Sequence, residues 1–446
     1  MSKASTSFFH AYDLRGVHPD EIGVEEARRV GMAFGSYVGG SAVVGRDGRS
    51  HASEVTEAFV DGVTSTGCDV VDVGAVPTPV VYFVSHRDSV AAAVVTASHN
   101  PPEYTGFKFN RSDGVSMSRE GGMSEIQRLY ETGDFDEGDG DVVERDVTGD
   151  YVAFAADSVD VDGDLSVVAN YGNGVAGDVG TRLLEAIGCN VHPVNDDVDG
   201  VFPVHPPNPM DVEARAATLD AVGRHDADLG LVFDGDGDRV GLVLPSGYVD
   251  EDTVLALLAR RSLARRKGDV VYDLRASRAV PEVVREAGGN PVESRVGHTY
   301  ISEAVHERDA VFAGEISGHY YLPAFGAPWD DGLLAGAVLC EIAGEGGLAD
   351  EVASVPGYPV SPELRLDCSH EAKQAVVETV AEAYSEYDTT TLDGVKVEFP
   401  DGEALVRPSN TEEKISVRCE AESEQELERI LGDVEATVRE AIENAA

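Results

Sequence analysis

Short apolar runs rich in valine alternate along the chain with longer stretches of helical periodicity. SAVVGRDGRS at 41–50 predicts a strand that enters a polar loop, 51–67 predicts a helix, and CDVVDVG at 68–74 predicts the next strand. AAAVV at 91–95 is a further apolar run. Strand patterns that alternate with helix patterns are typical of an α/β domain.

The same pattern occurs twice more. Residues 165–194 and 268–294 again read as strand, loop, helix, glycine and strand. The joints between helix and strand are also alike: TGCDVV at 66–71, IGCNVH at 187–192 and AGGNPV at 287–292. Glycine at these joints suits a helix C-cap. Self-similarity at a spacing of roughly 100 residues predicts three related α/β domains.

The C-terminal part of the chain has a different pattern. A helical stretch within 362–387 is followed by the strand-like segments VKVEF, ALVRPSNTE and KISVRCEAES, and then by an amphipathic helix. We expect a small α+β domain here. The predicted fold is therefore α/β, with domains at 1–148, 149–250 and 251–358 and a fourth, α+β domain at 359–446.

Each predicted α/β domain also contains an apolar run that ends in a polar loop. AAAVV leads into TASHNPP at 96–102, ADLGLVF into DGDGDR at 234–239, and DAVFA into GEISGH at 314–319. Ligands of α/β domains gather beyond the carboxyl ends of strands. We therefore expect the three loops to face one central cleft.

DGDGDR places Asp234, Asp236 and Asp238 on alternate residues. Crowded carboxylates repel one another unless a cation joins them, and hard oxygen ligands suit Mg²⁺. A calcium-binding EF-hand needs glycine at the sixth position and glutamate at the twelfth. Those positions hold Arg239 and Pro245, which excludes that motif. The remaining alternatives are a magnesium site and an acidic turn on an acidic protein.

TASHN places Ser98 directly after a buried strand. A serine hydroxyl is a weak nucleophile unless it is activated, and the G-x-S-x-G motif of hydrolases is absent here. On these residues alone Ser98 is either a phosphate carrier or an ordinary loop serine. Lys108 lies ten residues further on and could neutralise a phosphate; the alternative is a surface lysine. His99 could equally be a structural hydrogen-bonding residue.

Two further loops carry polar groups of a suitable kind. RPSNTE at 407–412 combines a guanidinium, two hydroxyls and backbone N–H groups, which together could hold a phosphate, although a plain turn is the alternative. Glu315 and Ser317 of GEISGH offer a carboxylate and a hydroxyl that suit adjacent sugar hydroxyls. The signal from this second loop is weak by itself.

Composition narrows the class of partner. The 446 residues carry a formal net charge of −48, which disfavours nucleic acid because phosphate backbones require a basic surface. Acidic residues are spread along the chain and lysines are few, which favours a cytoplasm at very high salt over an ordinary acidic protein. The sequence has no signal-peptide pattern and no apolar stretch long enough for a membrane span, so we expect a soluble, cytoplasmic protein without a membrane partner. The five cysteines are widely spaced and form no CxxC pair, which argues against structural zinc and a disulfide framework.

Together these loops resemble the motifs of the phosphohexomutase superfamily, the α-D-phosphohexomutases. AYDLRG at 11–16 is similar to the opening motif of that family, TASHNPPEYTGFK at 96–108 to its phosphoserine loop and DGDGDR to its metal loop. GEISGH is similar to its sugar loop, and RPSNTE to its phosphate loop. The five motifs occur in the same order as in that family, and the resemblance runs over nearly the whole chain. The resemblance implies four domains around a deep central cleft, which agrees with the pattern above.

The resemblance also implies roles for individual residues. Ser98 would be phosphorylated in the resting enzyme, and Mg²⁺ would lie between that phosphate and the three aspartates. Glu315 and Ser317 would bind sugar hydroxyls. The residues implied around the reacting serine are Arg15, His99, Lys108 and Arg239. The residues implied for the phosphate of the substrate are Arg407, Ser409, Asn410 and Thr411.

The implied reaction interconverts hexose 1-phosphate and hexose 6-phosphate through a hexose 1,6-bisphosphate, with His319 and Lys108 as the candidates for general acid and base. His298 and Arg275 are the further implied substrate contacts. VGHTY with His298, and Ile316 in place of glutamine, resemble enzymes for mannose and glucose phosphates, while the proline of RPSNTE is a glucosamine-type feature. We expect mannose or glucose phosphates; the alternatives are a phosphoglucosamine mutase, a phosphatase that uses the same serine, and a non-catalytic sugar-phosphate sensor. We expect a monomer or a homodimer.

Overall fold

The computed structural model describes residues 6–10, 13–409 and 413–445. The first domain contains a six-stranded sheet in the order β1-β5-β4-β2-β3-β6. Its strands are β1 (Leu14–Val17), β2 (Ser41–Arg46), β3 (Asp69–Ala75), β4 (Ala91–Val95), β5 (Tyr104–Asn110) and β6 (Val142–Glu144). Its helices are α1 (Val24–Val38), α2 (Ala52–Thr64), α3 (Thr78–Asp88) and α4 (Ser124–Thr132), with a π-helical turn at Arg119–Met123.

The second domain repeats this plan with five strands in the order β11-β10-β9-β7-β8. Its helices are α5 (Thr148–Asp157), α6 (Gly177–Ala186) and α7 (Val212–His225). Its strands are β7 (Ser166–Asn170), β8 (Asn190–Val194), β9 (Leu229–Phe233), β10 (Val240–Leu244) and β11 (Gly247–Val249).

The third domain has the sheet order β13-β12-β14-β15-β16. Its helices are α8 (Glu251–Arg265), α9 (Ala279–Glu286), α10 (His298–Arg308), α11 (Gly332–Gly344) and α12 (Leu348–Ser354). Its strands are β12 (Asp269–Asp273), β13 (Asn290–Ser294), β14 (Phe312–Gly314), β15 (Tyr320–Leu322) and β16 (Ala327–Asp330), with a 3₁₀ turn at Pro323–Phe325.

The three sheets share one topology. In each, the first strand of the repeated unit (β2, β7 or β12) pairs in parallel with the next two strands, and the third strand then pairs antiparallel with the fourth. The third strands β4 and β9 are buried at every position, as expected where helices cover both faces of a sheet. The common topology confirms three related α/β domains.

The fourth domain is an antiparallel sheet in the order β17-β21-β20-β19-β18. Its strands are β17 (Leu364–Asp367), β18 (Asp388–Thr390), β19 (Val395–Phe399), β20 (Gly402–Pro408) and β21 (Lys414–Ala421), and its helices are α13 (Lys373–Ala383) and α14 (Glu424–Ala445). Apolar side chains from both helices and from the sheet form one core that is separate from the other cores. This is the predicted α+β domain.

Domains one to three are joined through a continuous core, because α3 of the first domain packs in the same apolar cluster as residues of the second and third. The fourth domain contacts the third through polar groups: Lys396 Nζ donates to Glu293 Oε1 at 2.8 Å, and Ser277 Oγ donates to Glu420 Oε1 at 2.7 Å. Among the described residues, no single helix is long and apolar enough to cross a membrane. The pair α11 and α12 passes that test only when the two are taken together, and they bend by 104° at the break between them. All five cysteines lie among the described residues, where they are buried and form no disulfide.

Candidate active site

The three polar loops occupy the same place in the repeated topology, since each connects the third strand of its sheet to the antiparallel fourth. Ser98 follows β4, the aspartates follow β9, and Glu315 follows β14. The structure brings the loops into direct contact. Ser98 Oγ donates to Asp234 Oδ2 at 2.9 Å, and Arg239 Nε lies 3.1 Å from His319 Nε2.

Ser98 is fully buried and has a left-handed backbone with φ +50°. Its amide donates to Thr96 Oγ1 at 2.8 Å, and its hydroxyl also lies 3.3 Å from His99 Nδ1. The loop at 234–239 approaches so closely that a Cβ on Gly235 would lie 2.8 Å from the Ser98 carbonyl oxygen. Glycine at 235 therefore permits backbone contact between the first two domains at Ser98.

Asp234, Asp236 and Asp238 have no solvent-exposed surface, and one oxygen from each lies within 4.8 Å of the others. Lys108 Nζ donates to Asp236 Oδ2 at 2.9 Å and also to Asp238 Oδ2. Asp236 Oδ1 has no hydrogen-bond partner among the described residues, and Asp238 Oδ1 lies 3.4 Å from His319 Nε2. Buried carboxylate oxygens without donors are costly unless a cation satisfies them. The triad therefore fits a hard divalent cation such as Mg²⁺.

The charges of this cluster are unbalanced. Burial, together with Asp238 and Asp236, raises the pKa of Asp234 well above its usual value. Burial also opposes the charged form of Lys108, but Asp236 and Asp238 outweigh it and hold the lysine pKa well above its ordinary range. Arg239 Nε, 3.7 Å from Asp234, and His319 Nε2, 3.4 Å from Asp238, are further cationic groups at the cluster, yet the pKa of Asp234 stays raised, so these groups do not stabilise all three carboxylates, and a bound cation would do so.

Next to the triad lies a cavity of about 720 Å³ whose lining comes from all four domains. Most of the predicted catalytic and sugar-contacting residues line it: Arg15, His99, Arg239, Arg275, His298, Glu315, Ser317 and His319. Its walls also include Arg119 and Arg295, so that among the described residues the lining has five arginines and three acids, Asp13, Glu315 and Asp393. The cavity is a basic region in a strongly acidic chain.

His319 lies at the centre of the sugar-type loop. Its Nδ1 is 3.0 Å from Glu315 Oε2 and 3.1 Å from Ser317 Oγ, while its Nε2 is 3.4 Å from Asp238 Oδ1. Burial and Arg239 oppose the charged imidazole, but Asp238 and the hydrogen bond to Glu315 outweigh them and raise the His319 pKa to about 9. Burial likewise disfavours the Glu315 carboxylate, but its bond to His319 lowers the Glu315 pKa to about 2.

The other polar residues that line the large cavity are held by local contacts. Arg15 donates to Asn100 Oδ1 and to Asp13 Oδ2, both at 2.6 Å. The Arg239 charge, and then burial, lower the pKa of His99. Burial, with Lys108 and His319 nearby, lowers the pKa of His298 to about 4. Both of these histidines are therefore neutral near pH 7.

The predicted phosphate-binding groups lie towards the fourth domain. Arg275 and Arg407 line a second cavity of about 390 Å³, and Arg275 also lines the larger cavity. Arg407 Nε donates to Asp393 Oδ2 at 2.6 Å, and the Ser409 carbonyl accepts from Lys373 Nζ at 2.7 Å. Asn410 and Thr411 lie outside the described residues.

Several residues that build the site were not predicted. Asp273 accepts from Arg275 Nε at 3.0 Å and from the Ile316 amide at 3.2 Å, and it thereby connects Arg275 to the GEISGH loop. Asp47 and Arg49 brace the segment that contains Ser98. The signal for this pair was present in GRDGRS, another polar loop that follows a first-domain strand.

Comparison with known proteins agrees with this architecture. Family models described as phosphoglucomutase/phosphomannomutase alpha/beta/alpha domains I, II and III match residues 6–137, 149–247 and 250–356. The model described as the phosphoglucomutase/phosphomannomutase C-terminal domain matches residues 363–437. The chain belongs to the phosphoglucomutase/phosphomannomutase family.

Similar proteins cover the full length of the chain. A phosphomannomutase/phosphoglucomutase from Pseudomonas aeruginosa is 37% identical over 435 residues, which span 95% of this chain and 94% of that protein. A probable phosphoglucosamine mutase from Methanopyrus kandleri is 38% identical, with 98% of each chain covered. The crystal structure of a phosphoglucomutase/phosphomannomutase family protein from Burkholderia thailandensis matches with a TM-score of 0.92 at 35% identity, also over 98% of each chain.

Proposed function

We propose that the chain interconverts the 1-phosphate and 6-phosphate of mannose, glucose or both, with Ser98 as the phosphate carrier. The observation that carries this proposal is the buried contact of 2.9 Å between Ser98 Oγ and Asp234 Oδ2, in the same two loops as His99 and Arg239, which line a cavity with five arginines. A serine that only stabilised a loop would not need three carboxylates beside it. The relatives at 35–38% identity are named as mutases of hexose phosphates or belong to that family.

Asp234, Asp236 and Asp238 would hold Mg²⁺ through their oxygens, including Asp236 Oδ1, which has no other partner among the described residues. When bound, the ion would neutralise charge on the transferred phosphoryl group. The guanidinium groups of Arg15 and Arg239 line the same wall of the cavity and would bind phosphoryl oxygens. The chain thus supplies cations around the place where negative charge collects.

The transfer conserves every atom. The bond between phosphorus and Ser98 Oγ breaks, and a bond forms between phosphorus and the free hydroxyl oxygen of the hexose monophosphate. The proton of that hydroxyl passes to a base and finally to Ser98 Oγ, which leaves a free serine and a hexose 1,6-bisphosphate. After the bisphosphate has turned in the cavity, the reverse transfer from its other phosphate restores phosphoserine and releases the isomer.

Two residues compete for the role of general base. Lys108 is held between two carboxylates that keep its pKa well above the ordinary lysine value, so it suits charge stabilisation better than proton uptake. His319, with a pKa of about 9, is also mostly protonated near pH 7, but its pKa lies closer to neutrality, so a fraction of the rings is free to take up a proton at Nε2, which lies 3.1 Å from Arg239 Nε and 3.4 Å from Asp238 Oδ1. We favour His319.

The sugar would be bound at the third domain and the non-reacting phosphate at the fourth. Glu315 Oε1 is anchored by the Gly297 amide at 3.0 Å, which orients the carboxylate towards the cavity together with Ser317. Arg275 lines both cavities and would bind the non-reacting phosphate together with Arg407, Ser409, Asn410 and Thr411. The reacting phosphate and the non-reacting phosphate would then occupy two cavities that share Arg275.

Two alternatives remain open to experiment. The similarity to a probable phosphoglucosamine mutase is as high as the similarity to the mannose and glucose enzymes, and His298 and Ile316 are our reasons for preferring mannose and glucose. A non-catalytic sensor would have little use for the intact Ser98 and its buried triad.

Purified protein should be assayed side by side with mannose 1-phosphate, glucose 1-phosphate and glucosamine 1-phosphate in molar KCl with Mg²⁺. We expect the 6-phosphates of mannose and glucose to form and inorganic phosphate to stay near background. Release of inorganic phosphate without isomerisation would identify a phosphatase, and a preference for glucosamine phosphate would overturn the sugar assignment. Binding of all three sugars without turnover would identify a sensor.

A further inference from the structure

One guanidinium supports the whole turn that carries Ser98. Arg49 Nη2 donates to the carbonyls of Ser98 at 2.8 Å and of Asn100 at 2.7 Å. Its Nη1 donates to the carbonyls of Pro101 at 2.6 Å and of Tyr104 at 3.2 Å. Since Nε donates to Asp47 at 3.0 Å, all five N–H groups of the guanidinium are used.

Asp47 connects that guanidinium to the strand end that precedes the serine. Its Oδ2 accepts from Arg49 Nε and from Thr96 Oγ1 at 2.9 Å, and its Oδ1 accepts from the Arg49 amide at 3.0 Å. Thr96 Oγ1 in turn accepts from the Ser98 amide at 2.8 Å and lies 3.1 Å from Asp236 Oδ2. The Ser98 backbone is thus held at its N–H by Thr96 and at its C=O by Arg49.

The pair is built for a fixed position. Asp47 and Arg49 are each only 3% exposed, and the Phe202 ring of the second domain lies 5.2 Å from the Arg49 guanidinium carbon. The left-handed conformation of a serine, with φ +50°, is disfavoured relative to ordinary backbone. Four carbonyl hydrogen bonds to a buried cation can hold the turn in that conformation.

We propose that Arg49 and Asp47 are positioning residues for phosphoryl transfer. They hold the 96–104 turn so that Ser98 Oγ stays against the aspartate triad both with and without its phosphoryl group. Neither side chain lines the large cavity, so neither contacts the sugar. The role rests on the proposed function, because it concerns transfer through Ser98.

The decisive variant is Arg49→Lys, which keeps the positive charge but cannot supply a five-donor fork. Arg29→Lys is the matched control, since Arg29 Nε also donates to a first-domain carbonyl, that of Tyr130 at 2.7 Å, away from the serine. We expect Arg49→Lys to lower kcat by roughly 100-fold, as a displaced reacting group does, while KM stays within about threefold because the cavity is unchanged. Arg29→Lys should leave both constants near wild type.

Hydrogen exchange provides a readout that does not depend on activity. In Arg49→Lys, amides of 96–104 should lose protection while a peptide that covers α4 keeps it; in Arg29→Lys, 96–104 should stay protected. Asp47→Asn, which keeps the shape but weakens the bond to Arg49, should show the same changes to a smaller degree and serves if Arg49→Lys does not fold.

Unchanged kcat and unchanged exchange at 96–104 in Arg49→Lys would overturn the proposal. So would equal losses in kcat for Arg49→Lys and Arg29→Lys, because such losses would reflect general stability of the first domain. If the wild type lacks mutase activity, the proposed function fails, and the exchange data still decide whether Arg49 holds the turn.

Discussion

Among the described site residues, Ser98 has the least favourable backbone conformation, with φ +50°. It is nevertheless held by several hydrogen bonds. Its amide, carbonyl and hydroxyl each have a partner, and the partners come from two domains. A serine held by these hydrogen bonds is fixed in position before any substrate binds. Such orientation of a reacting group can supply a large part of a rate enhancement.

Replacement of Ser98 by alanine removes the proposed phosphate carrier but leaves the residues that line the cavity unchanged. We expect turnover to fall by more than about 10⁴-fold, while binding of hexose phosphate, measured by calorimetry, changes little. Intact-mass analysis should find a phosphorylated fraction in the wild type and none in Ser98→Ala. Ser53→Ala, an exposed serine of the same domain, is the control. Near-normal turnover in Ser98→Ala would contradict the carrier role.

At the scale of elements, α11 depends on a buried cap. Asp331 is its N-cap and accepts from the Leu334 amide at 2.9 Å. It also accepts from Tyr151 OH at 2.7 Å and from Trp329 Nε1 at 3.1 Å, so one carboxylate connects the second and third domains. The helix it begins is buried along almost all of its length.

Asp331→Ala should lower the free energy of unfolding by about 2–4 kcal/mol, because it removes an N-cap and leaves buried donors without an acceptor. Asp211→Ala removes the N-cap of α7, which contacts backbone amides alone, and should cost about 1 kcal/mol. Chemical denaturation in molar KCl measures both values. Equal losses in the two variants would show that the Tyr151 and Trp329 contacts add nothing.

The interface of β13 with the fourth-domain sheet contains a glutamate that resists ionisation. Glu403 Oε2 lies 3.1 Å from Lys396 Nζ, and its side chain is 17% exposed. Burial raises the Glu403 pKa from 4.5 to about 7, although Lys396 opposes the shift. Folding therefore favours the protonated form, and the associated stability is present below about pH 4.5 and is lost as the pH rises through 7.

Glu403→Gln cannot ionise and should escape this loss. We expect the unfolding free energy of the variant, minus that of the wild type, to increase by about 1–3 kcal/mol between pH 5 and pH 8. Glu428→Gln, on the exposed face of α14, is the control and should show a flat difference. A difference that fell with pH would show that the ion pair with Lys396 dominates over burial.

Many helices and strands could be predicted because the spacing of apolar residues and the glycines between elements are local properties of the sequence. Valine-rich runs such as 91–95 became strands, and the helix predicted at 51–67 forms at 52–64. The contacts of Asp47 with Thr96 and of Asp273 with Ile316 could not be predicted, because these partners are 49 and 43 residues away in the chain. Contacts between domains depend on packing, which a local pattern does not record.

At the scale of the whole molecule, charge is divided unevenly. The chain has a formal net charge of −48, while five arginines line the large cavity. Repulsion among exposed carboxylates destabilises the folded state and opposes the approach of a phosphorylated sugar. Salt shortens the reach of that repulsion from about 10 Å at 0.1 M to about 3 Å at 1 M.

We expect the melting temperature and the rate of hexose phosphate turnover both to rise as KCl increases from 0.1 M towards about 2 M, since screening acts on the many surface charges. Sorbitol at equal osmolality is the control and should reproduce little of the gain. A sharp optimum at low salt would contradict the high-salt interpretation of the sequence.

The three α/β units present their third-strand turns to one another, yet each turn carries a different set of groups: a serine, three carboxylates, or a glutamate with a histidine. A single ancestral unit, copied twice, would have placed any residue at that turn within reach of the other two. Each copy could then diverge at six or seven loop positions while its sheet stayed the same. For protein engineering, this directs changes of sugar preference to Ile316 and Ser317 of GEISGH, while His319 has to be kept because it contacts Arg239 and Asp238 of the aspartate loop.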